Sequence, residues 1–129
     1  MTPELMVLTL TAILQCGQFV LYSVLANMQV DLKTSLGPRD TPVELIGFAG
    51  RAKRAMNNHF EGLILFSIAV FVITISDQST ATTRTAAWAF LVARILYVPA
   101  YAFGLSPWRS LIWMVGFLAT AVMLLAALF

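Results

Sequence analysis

The chain is 129 residues long, 60% hydrophobic and only 11% charged, with a formal net charge of +2 and a mean hydropathy of +0.85. A soluble domain carries about 25% charged residues, so these totals exclude a soluble globular class and leave a single-domain integral membrane protein. The lone cysteine, Cys16, excludes an internal disulfide, and no metal cluster is suggested.

A membrane span needs about 20 mostly apolar residues, and four stretches qualify. The first covers 5–28. It lacks a basic lead-in and a small-residue cleavage site, so no removable signal peptide is expected. Within it Cys16 is expected to be a buried apolar side chain, and Gln15, Gln18 and Asn27 are expected to hydrogen-bond between helices. Residues 29–50 read as a long polar loop, with turn signals at Gly37-Pro38-Arg39-Asp40 and Pro42. The second span covers 57–75, the third 85–103 and the fourth 109–129. The links between them are the Ser/Thr-rich turn at 76–84 and a tight Gly/Pro turn at 104–108. Lys33, Arg39, Arg51, Lys53 and Arg54 lie between spans one and two, and Arg109 opens span four on the same side. Only Arg84 lies on the other side. The positive-inside rule then puts both termini outside and the basic loops in the cytoplasm.

Polar residues intrude on three spans. Arg51, Arg54, Asn58 and Glu61 are spaced i, i+3, i+7, i+10 and share one stripe of a helix. Glu61 lies ~10 Å of rise below Arg54, inside the hydrocarbon. Arg94, Tyr97 and Tyr101 form a similar stripe on span three, with Arg94 close to mid-membrane. A lone arginine there costs at least about 2.5 kcal/mol and must face the bundle interior, water or a partner. Arg109 and Ser110 follow Pro107 into the first turn of span four. A cation sits poorly at a helix N-terminus, so an anionic partner is expected. Together the three groupings can frame one site for a polyanionic ligand. Plainer readings stand beside that one. Glu61 and Arg94 can be a structural ion pair between helices two and three. Arg51, Lys53 and Arg54 can be topology determinants, and Tyr97 and Tyr101 packing or interfacial residues. Trp88, Trp108 and Trp113 read as interfacial or lipid-facing aromatics, and His59, on another face from Glu61, as a headgroup or loop contact.

Three stretches resemble the MAPEG family, the membrane-associated proteins in eicosanoid and glutathione metabolism. Arg54-Ala55-Met56-Asn57-Asn58-His59-Phe60-Glu61 fits the family's R-A-x-x-N-x-x-E signature. Arg94-Ile95-Leu96-Tyr97-Val98-Pro99-Ala100-Tyr101 is similar to its helix-three segment, R-x-x-[HY]-x-x-x-Y. Pro107-Trp108-Arg109-Ser110 resembles the entry to its fourth helix, and the Gly-Pro-Arg-Asp stretch of the first loop looks like the small bacterial members. The resemblance covers essentially the whole chain. It implies an all-α integral membrane fold, a left-handed four-helix bundle assembling as a homotrimer in the bacterial inner membrane.

The resemblance also implies a function. Glutathione, as co-substrate and without a metal, binds between subunits near the cytoplasmic leaflet, held by Arg51, Arg54, Asn58, Glu61, Arg94, Tyr97 and Tyr101. A free thiol has a pKa near 8.5 and is a few per cent ionised at neutral pH. Arg109 is therefore expected to stabilise the thiolate, with Ser110 donating to the sulfur. The expected activity is a glutathione transferase or peroxidase acting on apolar electrophiles or lipid hydroperoxides that arrive from the bilayer. No nucleic-acid partner is expected. Asp31 after Gln29-Val30, and Trp113 where the family's prostaglandin synthase has a tyrosine, argue against a specifically eicosanoid substrate. The alternatives are a non-catalytic binding or scaffold protein of the same fold and a small four-helix exporter.

Overall fold

The computed structural model describes residues 1–29 and 46–129. Four helices account for nearly all of them: α1 (Pro3–Gln29), α2 (Gly47–Ile75), α3 (Ala81–Ala102) and α4 (Trp108–Ala126). All four are long and apolar enough to cross a membrane. The turn signals at Gly37–Asp40 and Pro42, with Lys33 and Arg39, lie outside the described residues.

Helix α2 starts at Gly47, well before the apolar stretch that marks its span. The polar loop expected over 29–50 therefore gives way to helix by that residue. The reason lies in the small side chains Ala49, Ala52 and Ala55, which are buried while Arg51, Lys53 and Arg54 project between them. An amphipathic segment of this kind continues a helix although its hydropathy is low.

The turns after Ile75 and Ala102 reverse the chain, so α2, α3 and α4 run antiparallel in succession. Helix α1 packs mainly on α2, α4 packs mainly on α3, and α3 also touches both α1 and α2. The apolar core fills the half of the bundle away from the bases. Phe66 of α2 and Phe90 of α3 stack there with ring centroids 4.0 Å apart, flanked by Val7, Ile73 and Met123. Around the outside runs a belt of exposed apolar side chains such as Val20, Phe71 and Leu118, as a lipid-facing or subunit-facing surface requires.

The core half ends in a polar clamp. Glu4 is fully buried and accepts from Ser79 Oγ at 2.8 Å and from Thr83 Oγ1 at 2.6 Å. Thr80 and Thr83 cap the start of α3 reciprocally, each side chain accepting from the other's backbone N–H. A carboxylate beside this helix N-terminus is favoured by the dipole as well as by its hydrogen bonds. It fixes the beginning of α1 to the beginning of α3. Cys16, expected to be buried, is exposed. It falls off the stripe Glu4, Val7, Thr11, Gln18 that α1 turns inward.

Candidate functional site

The opposite half of the bundle is polar, and its centre is Arg94. This residue is only 3% exposed. Its Nε donates to His59 Nδ1 at 3.0 Å and its Nη1 donates to Asn58 Oδ1 at 3.0 Å. The guanidinium also lies over the Tyr97 ring, 4.6 Å from its centroid, a cation–π contact. Two glycines lie beside the side chain. A Cβ at Gly62 on α2 would lie 3.9 Å from Nη1, and one at Gly116 on α4 would lie 3.7 Å from Cδ. Arg94 thus threads between α2 and α4 where both present only backbone.

His59 is fully buried. Its Nδ1 faces the Arg94 N–H and must be the accepting nitrogen, so Nε2 carries the hydrogen and donates to the Thr11 carbonyl at 3.0 Å. The ring is neutral in this arrangement. The expected headgroup or loop contact of His59 is therefore incorrect, because the residue turns toward α1 and α3. Its register gave the signal: it follows Ala52, Ala55 and Met56 on the buried face of α2 and precedes Phe66 on that face.

Glu61 is exposed and forms no hydrogen bond or ion pair among the described residues. The structural ion pair between Glu61 and Arg94 is absent. The two instead line a common crevice of about 190 Å³ with Asn58, Trp113 and Phe117. Residues of α2, α3 and α4 line it, with Asn58, Glu61 and Arg94 as polar lining and Phe90, Trp113 and Phe117 as aromatic lining. One guanidinium nitrogen of Arg94, Nη2, is buried without a hydrogen-bond partner.

Beyond Tyr97, toward the basic end, the cations gather around a second tyrosine. Tyr101 lies 5.6 Å from Tyr97 between ring centroids. Its hydroxyl accepts from Arg54 Nε at 3.1 Å, and the Arg109 guanidinium sits 5.1 Å from its ring centre. An aromatic face therefore meets Arg109 where an anionic partner was expected. Arg51 is engaged elsewhere: its Nε donates to the Ala102 carbonyl at 2.7 Å, closing the C-terminus of α3. Ser110 is exposed, and its side chain makes no hydrogen bond among the described residues.

The predicted residues thus fall into two linked groups. Asn58, Glu61 and Arg94 line the crevice, with Tyr97 against the Arg94 guanidinium. Arg54, Tyr101 and Arg109 form the cationic end, with Arg51 bound to α3 and Ser110 on the periphery. Gly62 and Gly116 also line the crevice, and His59 lies behind it, bonded to Arg94. Gln15 and Gln18 do not form the expected interhelical bonds in full, since Gln15 Oε1 and both amide atoms of Gln18 are buried without partners. The described residues contain no group of three or more His, Cys, Asp or Glu side chains able to hold a metal.

No curated protein and no solved structure matches the chain. The family model of the MAPEG family, however, matches residues 7–129, nearly the whole length, and the chain belongs to that family.

Proposed function

We propose that the protein is a membrane-bound glutathione transferase or peroxidase that works as a homotrimer in the bacterial inner membrane, with both termini outside. The observation that carries this reading is the buried guanidinium of Arg94, which has only neutral hydrogen-bond partners and lines a crevice together with the unpaired carboxylate of Glu61. A buried charge without a countercharge is costly. A ligand carboxylate in the crevice would supply that countercharge. Glutathione offers two carboxylates and an ammonium, which suit Arg94 and Glu61 respectively. Pockets that enclose drug-sized ligands span about 300–1,000 Å³. A crevice of about 190 Å³ takes one end of the tripeptide, and a neighbouring subunit closing over the rest fits the trimer.

The thiol is placed toward Arg54, Tyr101 and Arg109. The Arg109 guanidinium and the amino-terminal dipole of α4 both favour the thiolate, and Ser110 donates to the sulfur once the neighbouring subunit and ligand cover it. In the transfer reaction the sulfur attacks an electrophilic carbon, the S–C bond forms and the leaving group departs with its electron pair. In the peroxidase reaction the sulfur attacks a hydroperoxide oxygen and the O–O bond breaks. The alcohol leaves with a proton, and a second glutathione converts the sulfenic acid to disulfide and water. The apolar partner enters along the aromatic wall at Trp113 and Phe117, which faces the bilayer side of the crevice.

The test is direct. Glutathione added to the detergent-solubilised trimer is expected to give a thiolate absorbance in the ultraviolet and turnover of an aryl halide. Both should be lost in Arg109→Ala. Thermal stabilisation by glutathione without thiolate or turnover would replace this reading with a non-catalytic binding protein.

A further inference from the structure

We infer that His59 is a positioning residue. It holds the Arg94 guanidinium in place with a neutral acceptor, so that the full positive charge of Arg94 remains available to an anionic group entering the crevice. The geometry supports each part. Arg94 Nε and His59 Nδ1 are 3.0 Å apart, both residues are buried, and His59 Nε2 is tied to the Thr11 carbonyl at 3.0 Å. That second bond fixes the imidazole tautomer and prevents the ring from turning its N–H toward the arginine. Asn58, the other partner of Arg94, is also neutral. No Asp or Glu hydrogen-bonds or pairs with Arg94 among the described residues, although Glu61 lines the same crevice.

The choice of acceptor has a chemical consequence. A carboxylate in the place of His59 would hold Arg94 at least as firmly, because charge-assisted hydrogen bonds are the stronger kind. It would also cancel the charge. An imidazole whose other nitrogen is bonded to backbone gives orientation without neutralisation. Asn58 and His59 together take one N–H on Nη1 and the N–H on Nε, and neither removes the charge of the guanidinium, which lines the crevice with Glu61. His59 also couples three helices through one ring: α1 by its backbone, α2 by the histidine itself and α3 by the arginine.

The test uses the fact that the chain contains a single histidine. Histidine labelled with nitrogen-15 in the ligand-free, detergent-solubilised protein reports this one ring. The expected spectrum has a protonated Nε2 and a bare Nδ1, and the bare nitrogen's signal moves in Arg94→Lys. A ring protonated on both nitrogens, or on Nδ1 alone, overturns the inference without reference to any ligand.

The binding part rests on the glutathione reading above, and two variants probe it. His59→Asn brings a side-chain oxygen near the position of Nδ1 and keeps the acceptor for Arg94. His59→Gln reaches the position of Nε2 and keeps the tie to Thr11 but not that acceptor. With both variants folded by thermal melting, His59→Asn is expected to bind glutathione within threefold of wild type. His59→Gln is expected to raise KM at least tenfold, with kcat at saturation within twofold. Equal affinity in wild type and His59→Gln, or equal loss in both variants, overturns the positioning role. If the wild type binds no glutathione, the proposed function falls, and the nitrogen spectrum alone decides the role of His59.

Discussion

Replacing Asn58 with aspartate changes one atom of the side chain and tests why Arg94 has no carboxylate partner. The amide oxygen that now accepts from Arg94 Nη1 at 3.0 Å becomes a carboxylate oxygen in nearly the same place. Two unit charges about 4 Å apart attract by roughly 4 kcal/mol at an effective dielectric of 20. Desolvating the new carboxylate removes much of that gain, so Asn58→Asp is expected to stabilise the fold by about 1–2 kcal/mol. The same ion pair neutralises the cation that a ligand carboxylate would use. Glutathione affinity should fall by at least tenfold, which is about 1.4 kcal/mol. Thermal melting in detergent reads the first effect, and titration of thermal stabilisation by glutathione reads the second. A variant that melts higher and binds glutathione as tightly as wild type would refute the reasoning, because Arg94 would then not be the ligand's anchor.

Three further outcomes follow from the same geometry. Glu4→Ala removes the acceptor of two hydroxyl donors at the start of α3. Thermal melting should show a loss of about 2–4 kcal/mol, with glutathione affinity unchanged in the protein that remains folded. Gly116→Ala places a methyl group at ordinary contact distance, 3.7 Å from Arg94 Cδ, and should be tolerated. Gly116→Leu overfills the same space at a cost of about 1–3 kcal/mol, and should weaken glutathione binding in titration by displacing Arg94. Glu61→Gln should lower glutathione affinity several-fold while leaving the melting temperature and the proposed trimer unchanged, since Glu61 has no partner among the described residues. Dissociation of the assembly on that change would mean that the carboxylate bonds a neighbouring subunit instead of a ligand.

The four helices are legible in the sequence because a membrane-spanning run is a long, one-dimensional signal. The stripe through Arg54, Asn58 and Glu61 is legible too, being a matter of spacing along one helix. What spacing does not reveal is which of two faces of α2 meets its neighbours. The stripe leads outward to Glu61, whereas the face that packs runs through Ala52, Ala55 and His59. Arg94 reaches that second face from another helix, so it bonds His59 there and Asn58 of the stripe, and not the carboxylate that charge alone would select. Glu4 is hard to read for a similar reason. Its partners Ser79 and Thr83 lie far away in sequence, and nothing local in α1 distinguishes a clamped carboxylate from an interfacial one.

Glu4 and Arg94 place opposite charges inside the bundle, and the contrast between them separates structural from binding roles. Both are removed from solvent, and each would be costly if left alone in a membrane. Glu4 is answered from within the chain, by two hydroxyls and the dipole at the start of α3. Nothing in that arrangement invites a further ligand. Arg94 is answered only in part. Neutral groups fix its orientation, a tyrosine ring supports its plane, and one nitrogen faces no acceptor. Giving Arg94 a carboxylate partner from this chain would take no more than one substitution, at Asn58 or His59. The chain carries amide and imidazole there instead, and the missing charge is the one that an anionic ligand would bring.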